Sequence, residues 1–510
     1  MNAPAAIDPV RFAGRTIRDV LDDWADAAPD RVALVDPEDG REITYSRLRE
    51  QARSLAATLK AEGVGEGEPV AYAMANSAET VAVILGILYA GRVAVAINLV
   101  AGPATVAYVI EHSRARLIFA DRTGLEVLDA AVAADARPKT IAVERALFER
   151  PGYLSPVPMH GPDDGLVMYT SGTTGRPKGV VLSQGALLAG GANTALAHNL
   201  TAVDRALCVL PLYHINGLCV TVMGPLVTGG SVVMPPRFSV SAFWGTLFDH
   251  ACTWFSVVPT QISYLLHQTD IPAAADRRRI RFGRSASAPL SPDVQTAFED
   301  KFGIAIVETM GLTETAAPIL SNPLPPGLRK TGSPGVAVGN AVIIGDDTQG
   351  EVPRGTEGEV LVRGPNVMSR YLRDEAATGA VLTLDGWLRT GDLGRMDADG
   401  YVFITGRLKE LIIKGGENIA PREIDEALHT HPDVIEAAAF ACPCDRYGQR
   451  VEAGVVLAAG SVATEADLIA VCVGRLGAFR APDRIHLLDE LPKGPSGKVQ
   501  RLKLQALLSG

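Results

Sequence analysis

Short apolar runs alternate with stretches of helical periodicity through most of the first 400 residues. Residues 70–74 read as a buried strand, a helix begins near Glu79, and residues 93–97 read as the next strand. Repetition of this unit predicts βα units, mainly parallel sheets and an α/β fold class. The apolar run 81–90 stops at Gly91 and Arg92, which is too short to span a bilayer and suits a buried helix. Pro and Gly cluster in 151–164, 321–335 and 349–358, and mark loops. There is no internal repeat.

The pattern changes near residue 408. A turn-rich, β-like stretch, 386–407, precedes a shorter unit in which 421–429 and 465–476 read as helices and 435–441 and 452–457 as strands. This predicts a large N-terminal domain of mixed α/β layers over 1–408 and a small, mobile α+β C-terminal domain over 409–510. Nothing near 408 has the composition of a flexible linker, so the joint is expected to be a tight hinge.

The chain's 510 residues exceed what one compact core accommodates, in agreement with two domains. The net charge of -10 argues against nucleic acid and against an anionic membrane surface as partners. The six cysteines, Cys208, Cys219, Cys252, Cys442, Cys444 and Cys472, show neither a disulfide framework nor zinc-ligand spacing, and read as thiols of a reducing compartment. The N-terminus lacks a basic region followed by an apolar stretch. A cytoplasmic protein without membrane insertion is the expectation.

The strongest local signal is Tyr169-Thr-Ser-Gly-Thr-Thr-Gly-Arg-Pro-Lys-Gly-Val180, fed by the apolar run 166–169. Thr170, Ser171, Thr173 and Thr174 offer hydroxyls. Gly172, Gly175 and Gly179 let backbone amides approach phosphate oxygens, and Lys178 adds a cation. A Walker A loop needs Gly before the Lys and Ser or Thr after it, whereas here Pro177 and Gly179 flank Lys178.

At this loop the chain resembles the adenylate-forming superfamily of acyl-CoA ligases, luciferases and stand-alone adenylation domains. Further motifs follow in the family's order and cover nearly the whole chain. The resemblance implies ATP, Mg2+ and coenzyme A as cofactors, and it leaves room for a homodimer. By it, His214 in Leu210-Pro-Leu-Tyr-His-Ile-Asn-Gly-Leu218 sits where the acyl pocket meets the thiol channel. Ser287, Ala288 and Pro289 in Ser285-Ala-Ser-Ala-Pro-Leu290 pass along the adenine. In Glu308-Thr-Met-Gly-Leu-Thr-Glu314, the nucleotide site takes Glu308, Thr309 and Met310, Thr313 contacts phosphate, and Glu314 ligates magnesium. A hard cation suits a carboxylate plus phosphate oxygens. Met310 stands where relatives usually carry an aromatic that stacks on adenine; a thioether can also lie against a ring. Asp392 matches the ribose-binding carboxylate, and Arg407 matches the Arg that contacts ribose or phosphate. Lys409 falls at the family's hinge. Gly415, Gly416 and Tyr447 line the CoA path. Lys498, in Leu491-Pro-Lys-Gly-Pro-Ser-Gly-Lys498, is implied to bridge the substrate carboxylate and the α-phosphate.

Within the superfamily the chain is most similar to oxalate- and malonate-type small-acid ligases, on Arg284-Ser-Ala-Ser-Ala288, on Phe238-Ser-Val-Ser-Ala-Phe-Trp244, on Val258-Pro-Thr260 and on Ser321-Asn-Pro-Leu-Pro325 with Arg329 and Lys330. Oxalate ligases usually carry a His where this chain has Ala317. The acyl pocket is expected to include His214, Asn216, Arg284, Ala286 and Ala317. The resulting expectation is an AMP-forming ligase that adenylates a small dianionic acid, of the oxalate, malonate or sulfoacetate type, and transfers the acyl group to CoA. The alternatives are a ligase for a neutral short- or medium-chain or aromatic acid, and a carrier-protein-loading adenylation enzyme. An amino-acid-activating enzyme generally places an Asp after the aromatic near 213, and here His214, Ile215 and Asn216 follow. A non-catalytic binding module would lack catalytic residues, yet Glu314, Asp392, Arg407 and Lys498 are all present.

Overall fold

The computed structural model describes residues 7–149, 157–170, 176–269, 272–346, 350–493 and 499–508. The predicted phosphate-loop residues Ser171, Gly172, Thr173, Thr174 and Gly175, and the predicted Lys498, lie outside the described residues.

Two large sheets organise the first part of the chain. In one, strands Val32–Val35, Ser231–Val233, Arg205–Cys208, Trp254–Val257, Phe282–Ser285 and Ile306–Leu312 run parallel. Glu42–Thr44 closes one edge antiparallel, and Ala317–Ser321 with Val336–Ala337 extends the other. The second sheet has seven strands. Asp164–Thr170, Val93–Ala96, Pro69–Ala73, Leu117–Ala120 and Thr140–Ala142 are parallel, and Lys178–Ser183 and Arg370–Tyr371 are antiparallel additions. The expected parallel βα units are therefore present, finished at the edges by antiparallel strands.

Helices Ala78–Tyr89 and Gln184–Ala197 are buried on nearly every face, so apolar residues surround their axes instead of forming one stripe. Gln184–Ala197 packs so closely on the 313–317 turn that a Cβ on Gly190 would meet the Ala316 carbonyl oxygen at 1.9 Å. Only glycine permits that approach.

A four-stranded antiparallel sheet follows, Ala341–Gly345, Glu357–Arg363, Leu388–Met396 and Val402–Arg407. After a turn at 408–410 comes a five-stranded sheet of Ile412–Lys414, Glu417–Ile419, Val434–Cys444, Gly448–Leu457 and Arg484–Leu487. Helices Pro421–Leu428 and Glu465–Leu476 pack on it around a separate apolar cluster that includes Ile412, Ile424, Leu428, Val451, Val455 and Leu468. The six cysteines are free thiols, five of them buried. Among the described residues no helix is long and apolar enough to cross a membrane.

Candidate active site

Parallel strands Phe282–Ser285 and Asp164–Thr170 lead at their carboxyl ends into predicted nucleotide segments, a placement at which open α/β sheets bind ligands, whereas Asp392 and Arg407 lie on the antiparallel sheet and Gly415 and Gly416 on the small one. Strand Asp164–Thr170 delivers the chain into the phosphate loop, and Lys178–Ser183 carries it away. Lys178 Nζ lies 4.9 Å from the Tyr371 ring centroid. The Tyr371 hydroxyl donates to Glu314 Oε1 at 2.8 Å. Tyr371 thus links the loop's cation to the predicted metal ligand. Nothing in the sequence pointed to it, because strand Arg370–Tyr371 reaches this position only by pairing with Lys178–Ser183.

Thr313, Glu314 and Thr315 form one 3-10 turn at the end of Ile306–Leu312. Ala316 and Ala317 follow in the left-handed region, φ 46° and 88°. Two successive non-glycine residues there store backbone strain beside the site. Ser287, φ 74°, is a third such residue. Thr309 Oγ1 donates to the Ser285 carbonyl at 3.3 Å, tying the two predicted adenine-side segments together. Met310 is half-buried on the same strand, next to a bulge at Gly311. Ala288 is half-buried and Pro289 exposed in the loop after Phe282–Ser285.

Glu308 is buried. Its Oε1 accepts the Leu290 N–H at 3.1 Å, and burial pushes its carboxyl up to about 7. Asp392 and Arg407 are register partners across strands Leu388–Met396 and Val402–Arg407. Arg407 Nε donates to Asp392 Oδ1 at 2.5 Å. The two residues predicted to hold the ribose and phosphate are therefore paired with each other and share one place. Lys409 is exposed in the turn that follows. Gly415 and Gly416 form an exposed hairpin tip with positive φ, beside Tyr447. There, on the small sheet, buried Lys414 lies against the rings of half-buried Tyr447 and exposed Phe479, which meet edge-to-face.

Arg284 and Asn216, both predicted for the acyl pocket, form a polar island with Ser256 and Ser287. Arg284 lies beside Ser256 in the parallel register of strands Phe282–Ser285 and Trp254–Val257. Its Nη1 donates to Asn216 Oδ1 at 2.7 Å and to Ser256 Oγ at 3.1 Å. Asn216 Nδ2 donates to Ser287 Oγ at 3.0 Å. Arg284 is 2% exposed, and its Nε has no hydrogen-bond partner among the described residues. Burial pulls its pKa down to about 9, which leaves it cationic at neutral pH. Among the described residues no carboxylate pairs with it. The neighbouring Cys219 is no counter-ion, because burial holds it as a neutral thiol and its Sγ donates to the Leu187 carbonyl. His214 is half-buried, two residues before Asn216, in edge-to-face contact with Tyr213. Ala286 and Ala317 are buried. Ser256 was missed in the sequence because a single Ser within a buried apolar strand carries no motif.

Arg329 and Lys330, which contributed to the small-acid resemblance, sit elsewhere. Arg329 pairs with Glu299, and Lys330 pairs with Asp397 and Asp399 at 2.6 Å each. They fasten the 322–335 loop and do not join the acyl island.

Lys178 and Glu314 joined through Tyr371, the Asp392–Arg407 pair and a small α+β unit form an arrangement suited to nucleotide chemistry. The chain belongs to the AMP-binding enzyme family, which matches residues 21–372, and the AMP-binding enzyme C-terminal domain matches 423–498. It is an AMP-forming acid–thiol ligase that uses ATP and CoA. It is 47% identical to a sulfoacetate–CoA ligase of Cupriavidus necator, over 93% of this chain and 94% of that one. An oxalate–CoA ligase of Arabidopsis thaliana is 34% identical, over 95% and 97%. The ATP-bound crystal structure of MatB from Rhodopseudomonas palustris superposes with a TM-score of 0.89 at 29% identity, covering 97% of this chain and 99% of that chain.

Proposed function

We propose that this ligase activates a small carboxylic acid bearing a second anionic group, with sulfoacetate first and malonate next. The observation that carries this reading is the buried Arg284 guanidinium, held by neutral Asn216 and Ser256. An uncompensated buried charge is strongly unfavourable. A sulfonate or carboxylate on the substrate would supply the missing counter-charge. The 47% identical sulfoacetate–CoA ligase supports the same class. Ala317, where the resemblance puts a His in oxalate ligases, argues against oxalate.

In the proposed reaction the substrate carboxylate attacks the α-phosphorus in line and pyrophosphate leaves. The CoA thiol then attacks the acyl-adenylate carbonyl and AMP leaves. Lys498 would bring carboxylate and phosphate together, and Lys178 with the 170–175 loop would hold the polyphosphate. Asp392 would accept from the ribose hydroxyls, with Arg407 turning from Asp392 toward the nucleotide. Glu314 would hold magnesium, its carboxylate positioned by the Tyr371 hydroxyl at Oε1. Phosphate oxygens would complete the shell, and the bound ion would neutralise charge on the phosphates. Between the half-reactions, residues 409–510 would rotate about Lys409 relative to 1–408 and bring Gly415, Gly416 and Tyr447 to the CoA path.

The test is kcat/KM for sulfoacetate, malonate and oxalate against acetate, butyrate, octanoate and benzoate. A dianion is expected to exceed every neutral-tailed acid by at least about ten-fold, about 1.4 kcal/mol in transition-state stabilisation. A neutral-tailed acid ahead by that margin would remove the anionic-pocket reading and leave the ligase class intact.

A further inference from the structure

Tyr264 projects from helix Pro259–Leu266, whose first turn follows strand Trp254–Val257 of the acyl island. Its hydroxyl donates to Glu436 Oε1 at 2.9 Å. Glu436, 5% exposed on strand Val434–Cys444, also takes the Lys493 ammonium at 2.5 Å. Lys493 Nζ in turn lies 3.3 Å from the Tyr264 hydroxyl. Lys493 forms an isolated β-bridge with Val499, so it is one foot of the loop that carries Lys498. A second tie crosses the same boundary: Arg422, on Pro421–Leu428, donates to the Ile404 carbonyl at 2.7 Å and to the Gly332 carbonyl at 3.2 Å.

We propose that Tyr264, Glu436 and Lys493 form a latch that holds the stem of the Lys498 loop against the acyl-side helix during adenylation and is released for thioester formation. This rests on the reading that Lys498 serves the first half-reaction and that the small domain turns about Lys409. The chemistry suits a reversible contact. Glu436 and Lys493 both belong to the part of the chain after 409, so their ion pair survives rotation. What breaks are the two contacts of the Tyr264 hydroxyl, one donated to Glu436 and one accepted from Lys493, both of which water can replace once the face is exposed. These three are positioning residues, since none is placed on substrate.

The experiment compares the wild type with Tyr264→Phe and Glu436→Gln. Three quantities are measured: sulfoacetate-dependent ATP–pyrophosphate exchange, conversion of synthetic sulfoacetyl-adenylate to its CoA thioester, and hydrogen exchange at the 408–410 turn. Both variants are expected to lose about ten-fold in pyrophosphate exchange at saturating ATP and sulfoacetate, with KM for ATP within about two-fold. Thioester formation should be unchanged or faster. The Leu408 and Glu410 amides, bonded to the Gly391 and Arg407 carbonyls, should exchange faster. Unchanged pyrophosphate exchange, or equal losses in both half-reactions, would overturn the latch. A wild type that exchanges pyrophosphate with malonate and not with sulfoacetate would contradict the sulfoacetate reading alone. The malonate half-reactions and the acid-free hydrogen exchange would then decide the latch.

Discussion

Arg284 and Glu308 sit on neighbouring strands, both withdrawn from water, and the fold treats their charges differently. Arg284 keeps its charge and lacks an acidic partner among the described residues. Glu308 has a backbone N–H on one oxygen and none on the other, so burial favours its protonated form. Its pKa is about 7 in the folded chain against 4.5 for the ordinary carboxyl. The folded state therefore binds the proton more tightly. This contribution to stability is full below about pH 4.5 and is lost as pH rises to about 7, with a span of about 3 kcal/mol. Glu308→Gln should remove that slope. The check is the difference between wild-type and variant urea midpoints from pH 4.5 to 8: it should change through this window and flatten above it. A constant difference would mean that Glu308 is ionised throughout.

At the scale of elements, the helix Asn216–Met223 is the least expected feature. It is π-helical, entirely buried and, Thr221 apart, apolar after Asn216 and Gly217, so periodicity alone cannot distinguish it from a strand. Its start is fixed by contact: a Cβ on Gly217 would lie 2.3 Å from the Pro211 carbonyl oxygen and 2.7 Å from that of Leu210. Neither backbone can yield easily. Gly217→Ala should cost about 1–3 kcal/mol of stability and shift Asn216 away from Arg284, lowering kcat/KM for a dianionic acid more than that for butyrate. Equal effects on both acids would show that Asn216 does not organise the pocket.

Elements with a clean run and clear punctuation were legible in the sequence. Strand Pro69–Ala73, helix Ala78–Tyr89 and helix Glu465–Leu476 fall where the pattern put them. Strands Ala341–Gly345 and Glu357–Arg363 were not foreseen. The Pro- and Gly-rich segment between them reads as loop and masks the pairing. The motifs singled out Glu314, Asp392 and Arg407 as candidates, because phosphate and ribose chemistry dictates residue type, and the structure pairs the last two with each other. Tyr371 and Ser256 escaped because strand register brings them in from 57 residues beyond Glu314 and 28 before Arg284.

The whole molecule poses a question of motion. Residues 408–411, of which Leu408 and Lys409 are exposed, join the last strand of the antiparallel sheet to the five-stranded one in sequence. Proline at 409 would confine φ near -65°. Lys409→Pro should leave acid-dependent pyrophosphate exchange largely intact and reduce thioester formation at least about ten-fold. Lys498→Ala should do the reverse, abolishing adenylation while a supplied acyl-adenylate is still consumed. Lys409→Pro making acyl-CoA at the parental rate would rule out this pivot.

Selection by a buried cation is the claim on which the substrate assignment stands. Methionine is close to arginine in volume and removes the charge without emptying the site, so Arg284→Met isolates the electrostatic contribution. The direct measurement is the ratio of kcat/KM for sulfoacetate over butyrate, in wild type and in Arg284→Met, with ATP, magnesium and CoA held constant. The wild-type ratio should be at least about ten, and the variant's should fall to about one or below, a loss of about 1.4 kcal/mol or more. A wild type that prefers butyrate, or a variant that keeps the sulfoacetate preference, would contradict it.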